Sequence, residues 1–303
     1  MSKIINVNSI TEIHQIFGAP APKHPLVTLI DFSNPAFSQP SIELNAKYVL
    51  NFYCISLKDF KGIMKYGRFS YDFAEGTMVF MAPGQIITFD EAPDPDVKDI
   101  LGLFFHPDLI RHSALADKID AYSFFNYETN EALHMSADEK ATITDCFYKI
   151  QKEFTLNIDK HSQALIVSNL ELLLNYCTRF YDRQFLTRTS SNKDIIIEFE
   201  KYLKQYFLTD KPSTEGVPSV KKCAEAMNLS PNYLSDLLKK ETGKNTIEHI
   251  HFHVIKVAKN KLLNTSLPIN EIAYDLGFEY PAYFTKVFKS KTGMSPSAYR
   301  KMN

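Results

Sequence analysis

Apolar and polar positions change their period partway along this chain. Between Val27 and Phe105 the apolar residues come in short runs, LVTLIDF, YVLNFYCISL, TMVFMAP, IITFD and ILGLFF, and each run predicts a strand. Gly76 and Gly84 supply turn positions, Pro83 is unsuited to the middle of a ladder, and the acidic stretch 90–99 with its two prolines reads as a loop. Many short strands joined by such turns predict a small β-barrel or a double-sheet sandwich. From about Asp138 the period becomes three and four. Ile143, Phe147, Ile150 and Phe154 mark one helix, and Leu165, Ser168, Leu172 and Tyr176 mark a second, so a helical hairpin is expected with its break at 157–160. The second helix is apolar over much of its surface (LIVSNLELLLNYC). One stripe should face the β-rich body and another should suit a partner subunit, which predicts a homodimer through the 140–180 hairpin.

The stretch RFYDRQFLTRTSSNKD reads as the end of this body and a connection of modest length. A further helix is expected over 195–207, and TDKPSTEGVPS should break any regular element. The predicted division is a first domain over 1–190 and a second over 191–303.

The last ninety residues contain an internal repeat. At an offset of 49, Val220, Ala224, Met227 and Leu229 meet Ile269, Ala273, Leu276 and Phe278. At an offset of 50, Pro231, Leu234, Leu238, Lys239, Thr242 and Gly243 meet Pro281, Phe284, Phe288, Lys289, Thr292 and Gly293. Each unit carries a short helix with a small residue, Ala224 or Ala273, where a second helix can cross closely. A tight turn follows, with Asn228 or Gly277 where a left-handed backbone is easiest. Ser230 is placed to cap the next helix and Pro231 to occupy its first position. This is the pattern of two helix–turn–helix units, whose second helices are candidates for the major groove of DNA. Between them Ile247, Ile250, Val254, Val257, Ala258 and Leu262 predict one unbroken helix from about 246 to 263, roughly 27 Å long. A rigid spacer of that length suits two reading helices about one DNA turn apart, ~34–36 Å.

Charge strengthens that reading. Residues 216–303 hold 13 Lys/Arg against 7 Asp/Glu, whereas 1–215 hold 21 against 28, so a basic tail follows an acidic body. Off the apolar stripe of the first reading helix lie Asn232, Ser235, Asp236 and Lys239; on the second lie Ala282, Thr285, Lys286 and Lys289. Asn pairs with adenine, Asp accepts from cytosine, Thr and Ala touch a thymine methyl, and Lys reaches guanine or phosphate. Lys239 and Lys289, with Lys222, Lys240, Lys244, Lys259, Lys291 and Arg300, are candidates for phosphate contacts. In the β-rich region Phe52, Tyr53, Tyr66, Phe69 and Phe80 are candidates for an apolar effector pocket, against the plainer reading that they fill the core.

Other chemistry finds no support. His14, His24, His106 and His112 are dispersed, and the four cysteines are scattered without a CxxC pair, as expected of buried thiols. His249 and His253 share a helix face, but no carboxylate stands near them at ligand spacing along the sequence, so they are expected to be structural or exposed. No phosphate-binding or dinucleotide-binding glycine motif occurs. Neither a metal, a cofactor nor an enzymatic activity is expected. The opening MSKIINVNSITEIHQIF lacks the continuous apolar core of a signal peptide, no stretch approaches the ~20 apolar residues of a membrane helix, and a cytoplasmic protein without membrane contact is expected.

The segment INEIAYDLGFEYPAYFTKVFKSKTGMSPSAYRK, 269–301, resembles the signature of AraC-type bacterial transcription regulators, and CAEAMNLSPNYLSDLLKKETG, 223–243, resembles their first helix–turn–helix. The body resembles, through much weaker motifs, the cupin-like regulatory half common in that family. The resemblance implies an α+β protein: an N-terminal cupin-like barrel with a helical hairpin, then an all-α domain with two helix–turn–helix units on a long linker helix. It implies promoter DNA as a partner, base contacts from Asn232, Ser235, Asp236, Ala282, Thr285 and Lys286, and a framework of Gly277, Phe278, Phe284, Phe288, Gly293 and Pro296. It further implies an activator more than a repressor, RNA polymerase contact, and control by a small-molecule effector or by oligomerisation. Two positions depart from the family's pattern. Val254 stands where the linker helix often has Arg, and Asp236 where a basic or amide residue is common.

Overall fold

A computed structural model of the chain describes residues 3–32, 34, 41–58, 76–88, 100–156 and 159–301. The chain divides into two compact units, 1–188 and 189–303.

The first unit opens with β1 (Ile4–Val7) and α1 (Ile10–Phe17), elements that the alternating start of the sequence does not announce. Ser9 begins α1 by accepting from the Glu12 N–H, Glu12 accepts in return from the Asn8 N–H, and Gly18 ends it in the left-handed region. The strands β2 (Val27–Asp31), β3 (Lys47–Leu50), β4 (Tyr53–Lys58), β5 (Gly76–Met81), β6 (Ile86–Thr88), β7 (Ile100–Phe105) and β8 (Leu133–Met135) follow. Short α2 (Ala114–Lys118) lies between β7 and β8, and α3 (Ala137–Thr155) and α4 (Ser162–Thr187) close the unit.

Among the described residues the strands form two sheets, β1-β3-β6 and β2-β7-β4-β5-β8, and no closed barrel. A barrel is not confirmed among these residues, and the pairing matches the two-sheet alternative that the strand pattern also allowed. β2 and β8 border the larger sheet with one described partner each, and β1 and β6 do the same in the smaller. The run YVLNFYCISL is likewise two strands in different sheets. At Asn51 the chain crosses over, held by its N–H on the Val7 carbonyl, while Phe52 is buried between the sheets. Gly76 lies within β5 rather than in a turn, whereas Gly84 does occupy a turn at φ +84°. The acidic loop expected at 90–99 lies outside the described residues.

Strand alternation sorts the larger sheet into two buried faces. Cys54, Ile30 and Phe104 pack with Val7, Ile10, Tyr48, Leu50 and Phe52 of the smaller sheet and α1. On the opposite face Ile55 lies across from Phe80 and Leu103, and Phe80 packs, tilted or edge-on, among Phe124, Phe125 and Tyr181. Helix α4 is tied to strand β8 by Gln184, whose Oε1 accepts from the His134 N–H at 2.8 Å and whose Nε2 donates to the Ala132 carbonyl at 3.1 Å. Arg183 adds a bidentate pair to Glu139 of α3, at 3.1 and 2.7 Å.

Two expectations for this hairpin are corrected. The periodic set Leu165, Ser168, Leu172, Tyr176 is the outer stripe: Leu165 and Leu172 are 47% and 41% exposed, and the buried stripe is Ile166, Leu170, Leu173, Leu174 and Cys177. The helix is apolar on both stripes, so periodicity alone could not choose between them. Nor is there a connection of modest length after it. α4 runs to Thr187 because Phe180, Tyr181, Gln184 and Phe185 continue its buried face, and the next helix begins at Thr189.

The second unit has only helices as regular elements among its described residues. It comprises α5 (Thr189–Tyr206), α6 (Lys211–Glu215), α7 (Val220–Ala226), α8 (Pro231–Thr242), α9 (Thr246–Asn264), α10 (Ile269–Asp275), α11 (Pro281–Thr292) and α12 (Pro296–Arg300). α6 is a short turn of helix inside the segment expected to be irregular. One core serves all of it, built from Phe199 and Leu203 of α5, Ala224, Leu234, Leu238, Ile250, Val254, Ala258, Ala273, Phe284 and Phe288. Each large side chain fully buried there contributes about 1.5–3 kcal/mol.

Candidate nucleic-acid interface

Each half of the repeat folds as its residues require. Ser230 caps α8 by accepting from the Tyr233 N–H at 3.2 Å, Pro231 takes the first helical position, and Gly243 ends the helix at φ +76°. In the second half Tyr280 stands at the cap position of α11 without a side-chain hydrogen bond, and Gly293 ends that helix at φ +81°. The two turns share one backbone state: Asn228 has φ +54° and Gly277 has φ +89°. Ala224 and Ala273 are fully buried, as a close helix crossing demands.

Gly277 has a second constraint that Asn228 lacks. A Cβ there would stand 2.5 Å from the Gly216 carbonyl carbon, 2.6 Å from the Val217 nitrogen and 2.7 Å from the Pro212 carbonyl oxygen. The loop after α6 therefore lies directly on the second turn, and the Val217 N–H donates to the Gly277 carbonyl at 3.1 Å.

The linker helix α9 starts with a capping box between Asn245 and Glu248 and buries Ile250, Val254, Ala258 and Leu262. Ile247, expected on that stripe, is instead 50% exposed, and Val257 is half-buried. Val254 is fully buried in the common core, so an Arg would not fit in its place without repacking.

The candidate base-reading residues lie off the buried stripes of α8 and α11. Ala282 and Lys286 are exposed, while Asn232, Asp236 and Thr285 are half-buried at the surface. Ser235 is also half-buried, and its hydroxyl lies 2.9 Å from that of Thr246 at the start of α9. Lys239, Lys240, Lys289 and Lys291 are exposed in the last turns of the two helices, where cations also suit the helix dipole.

Lys222, Lys244, Lys259 and Arg300, the remaining candidates for phosphate contacts, sit beside aromatic rings, carboxylates or carbonyls of their own unit. Lys222 pairs with Glu215 and lies 5.0 Å over the Tyr206 ring. Lys244 covers Phe252 and Lys259 covers Tyr299, at 4.9 and 5.5 Å. Arg300 donates to the Leu262 and Leu267 carbonyls at 3.3 and 2.7 Å, which ties α12 to the end of α9. Lys261, not singled out from sequence, pairs with Asp275 at 2.9 Å and fixes α10 against α9.

Sequence reasoning missed three exposed tyrosines on the second half: Tyr274, Tyr280 and Tyr283 are 53%, 64% and 52% exposed. The repeat gave no signal of this, because Tyr283 stands 50 positions after Tyr233, which is buried. It also missed a carboxylate beside His249. Glu200, on α5, brings Oε1 to 3.1 Å from His249 Nδ1, while Nε2 lies 2.8 Å from the Thr242 hydroxyl. No stretch of α9 could have announced a partner carried by α5. Burial lowers the pKa of His251 and His253, Lys291 adding to the effect at His251.

The aromatic residues proposed as an effector pocket are only partly brought together. Tyr53 and Phe80 meet around Phe125, at 5.0 and 5.7 Å between centroids, whereas Phe52 packs in the core between the sheets, and Tyr66 and Phe69 lie outside the described residues. The four cysteines are free and buried. Among the described residues no group of three metal-ligating side chains converges, and no helix is long and apolar enough to cross a membrane.

Comparison with known proteins gives a match to the helix–turn–helix domain family over residues 223–302. An uncharacterized HTH-type transcriptional regulator of Escherichia coli, YijO, is 36% identical over 143 residues, 47% of this chain and 47% of its own. The arabinose operon regulatory protein of Escherichia coli is 36% identical over 77 residues, 25% of this chain and 26% of its own. Among solved structures, the C-terminal domain of AraT, a response regulator from Geobacillus stearothermophilus, shares 32% identity over 36% of this chain and 85% of that one, with a TM-score of 0.32. The chain thus spans about half the length, or less, of the curated relatives it matches. Two helix–turn–helix units in register on a common core, with the sequence match over 223–302, identify this part of the chain as a helix–turn–helix domain similar to those of transcriptional regulators.

Proposed function

We propose that the whole chain is a sequence-specific transcription regulator that binds promoter DNA with α8 and α11 in successive major-groove segments. The observation that carries this reading is the repetition of one helix, begun by a proline and ended by lysines and a left-handed glycine, on both sides of a linker helix in a single core. Asn232, Asp236, Ala282, Thr285 and Lys286 read bases. Ser235, whose hydroxyl also meets Thr246, reads from the same face of α8. Lys239, Lys240, Lys289 and Lys291 hold phosphates, joined by Lys222, Lys244, Lys259 and Arg300 where their present partners leave a donor free. Residues 1–190 form the regulatory and dimerisation half and 191–303 the DNA-binding half. The outer stripe of α4 with Leu165 and Leu172 supports a homodimer, since an apolar stripe left exposed on a long helix suits a second copy. Control by a small molecule or by oligomerisation, contact with RNA polymerase and activation are part of the same proposal.

The test is selection of bound fragments from sheared genomic DNA by the full chain at ~150 mM salt. Enrichment of a shared motif, lost in Lys286→Ala at its second half-site, supports the reading. Retention of DNA without any shared motif, or no retention at several salt concentrations, overturns it.

A further inference from the structure

The second reading helix opens with a residue unsuited to its position. A helix start favours Ser, Thr, Asp or Asn, whose short side chain accepts from one of the first-turn N–H groups. Ser219, Ser230, Asn245 and Ser295 each accept in this way at the heads of α7, α8, α9 and α12. At the head of α11 stands Tyr280, whose phenol oxygen is too far out to turn back on its own helix and makes no cap hydrogen bond. The backbone does not need the aromatic ring. Pro281 holds the residue before it extended, and Tyr280 lies at φ −122°, ψ 113°, which a serine adopts equally well. Nor is the ring packed away: Tyr280 is exposed, whereas Ser230, 50 positions earlier, is buried. A cap given up for an exposed aromatic ring is a local loss without a local gain, and such losses collect at functional surfaces.

Resting on the DNA-binding reading above, we propose that Tyr280 is a DNA contact, its hydroxyl donating to a backbone phosphate beside the half-site that α11 reads and its ring lying on the adjoining sugar. In a helix–turn–helix the N-terminal residues of the reading helix reach the bases, so the residue at its head meets the phosphates at the rim of the groove. The surface is continuous with the residues assigned above. Tyr283, three positions on, leans its ring on Phe278 at 5.9 Å between centroids and is itself exposed, and exposed Lys286 follows one turn further along the same flank. A tyrosine suits this place because it extends further than a serine and brings a donor without charge. The first half lacks the device. Ser230 is occupied by its cap, and Tyr233, the counterpart of Tyr283, is buried. α11 therefore gives up helix stability for a phosphate contact and α8 does the reverse, so the two half-sites are held by different chemistry.

The experiment uses the full chain and a duplex it enriches from sheared genomic DNA. Tyr280→Ser restores a cap, so the melting transition of its helical unit should rise by about 4 °C in calorimetry. Its affinity, read by fluorescence anisotropy, should nevertheless fall about tenfold. Opposite signs in stability and affinity are the signature, because a residue that merely shaped the domain would move both the same way. Tyr280→Phe keeps the ring without the donor and should weaken binding about fivefold with an unchanged melting transition. Both losses should be equal on every single-base-pair variant of the duplex. Both should also leave the salt dependence of affinity parallel to wild type, since a neutral donor releases no counterion. Wild-type affinity in either variant, or a Tyr280→Ser melting transition no higher than wild type, overturns the proposal alone. A loss confined to one base pair, or a shallower salt slope, overturns it as well. Failure of the wild-type chain to enrich any duplex overturns the DNA-binding reading and this proposal with it.

Discussion

Adding one methyl group at Gly277 tests how the second helix–turn–helix is held. In Gly277→Ala the residue must keep φ near +89°, which costs an alanine about 1–2 kcal/mol. The new Cβ also meets three backbone atoms at 2.5–2.7 Å, and none of them can swing away as a flexible side chain would. Relief requires moving α6 and the loop after it, overpacking that costs about 1–3 kcal/mol, and it stretches the Val217 N–H bond to the Gly277 carbonyl. The total is about 2–5 kcal/mol, enough to lower the melting transition of this unit by on the order of 10 °C. Asn228 supplies the control: it has the same backbone state in the first turn, so Asn228→Ala should cost roughly the 1–2 kcal/mol of the conformation alone. Gly277→Asn should remain well below wild type, because asparagine accepts the left-handed backbone yet still carries the Cβ. Calorimetry of the full chain reads the shift, and hydrogen exchange in peptides from 189–303 assigns it. A Gly277→Ala protein within 1 kcal/mol of wild type, or no worse than Asn228→Ala, would refute the close-approach argument.

Four further outcomes are expected. Lys286→Ala should weaken binding to an enriched duplex by about 1–3 kcal/mol with relaxed specificity at one base pair, whereas Lys289→Ala should weaken all sequences alike and reduce the salt slope by about one; binding competitions at several salt concentrations separate the two. Gln184→Leu leaves the His134 N–H and Ala132 carbonyl without their α4 partner and should destabilise the first unit by about 2–4 kcal/mol, read by urea denaturation. Replacing both Leu165 and Leu172 by Lys should convert a dimer to a monomer in sedimentation while the far-ultraviolet circular dichroism stays unchanged. Burial pushes the Cys54 thiol up to about 11 and the Cys223 thiol up to about 12, so native protein should resist alkylation at pH 8 and react fully only when unfolded. These raised values work against the fold in alkali: the unfolded chain loses its thiol protons from about pH 8.5 upward while the native chain keeps them, so stability falls as pH rises through that window.

The helix–turn–helix half was legible because its determinants are local. A cap such as Ser230, a proline at the first helical position and a left-handed Asn228 or Gly277 act within a few residues. The repeat then let each half check the other. The β-rich half was legible only as strands, because pairing partners lie far apart in sequence and nothing local says which sheet a strand joins. YVLNFYCISL therefore reads as one run although Asn51 hands the chain from one sheet to the other. The outer and inner stripes of α4 could not be told apart for a related reason: both are apolar, and only the packed sheet and helices decide which is buried. Sequence by itself thus determined where α8 and α11 begin and end and the apolar stripe that each buries. Tertiary structure alone decided that α6 and the loop after it lie on Gly277, that Arg300 ties α12 to the end of α9, and that Glu200 reaches His249 from 49 positions away. Those contacts join segments with no fixed spacing in the chain, and they form only when a shared core brings the helices together.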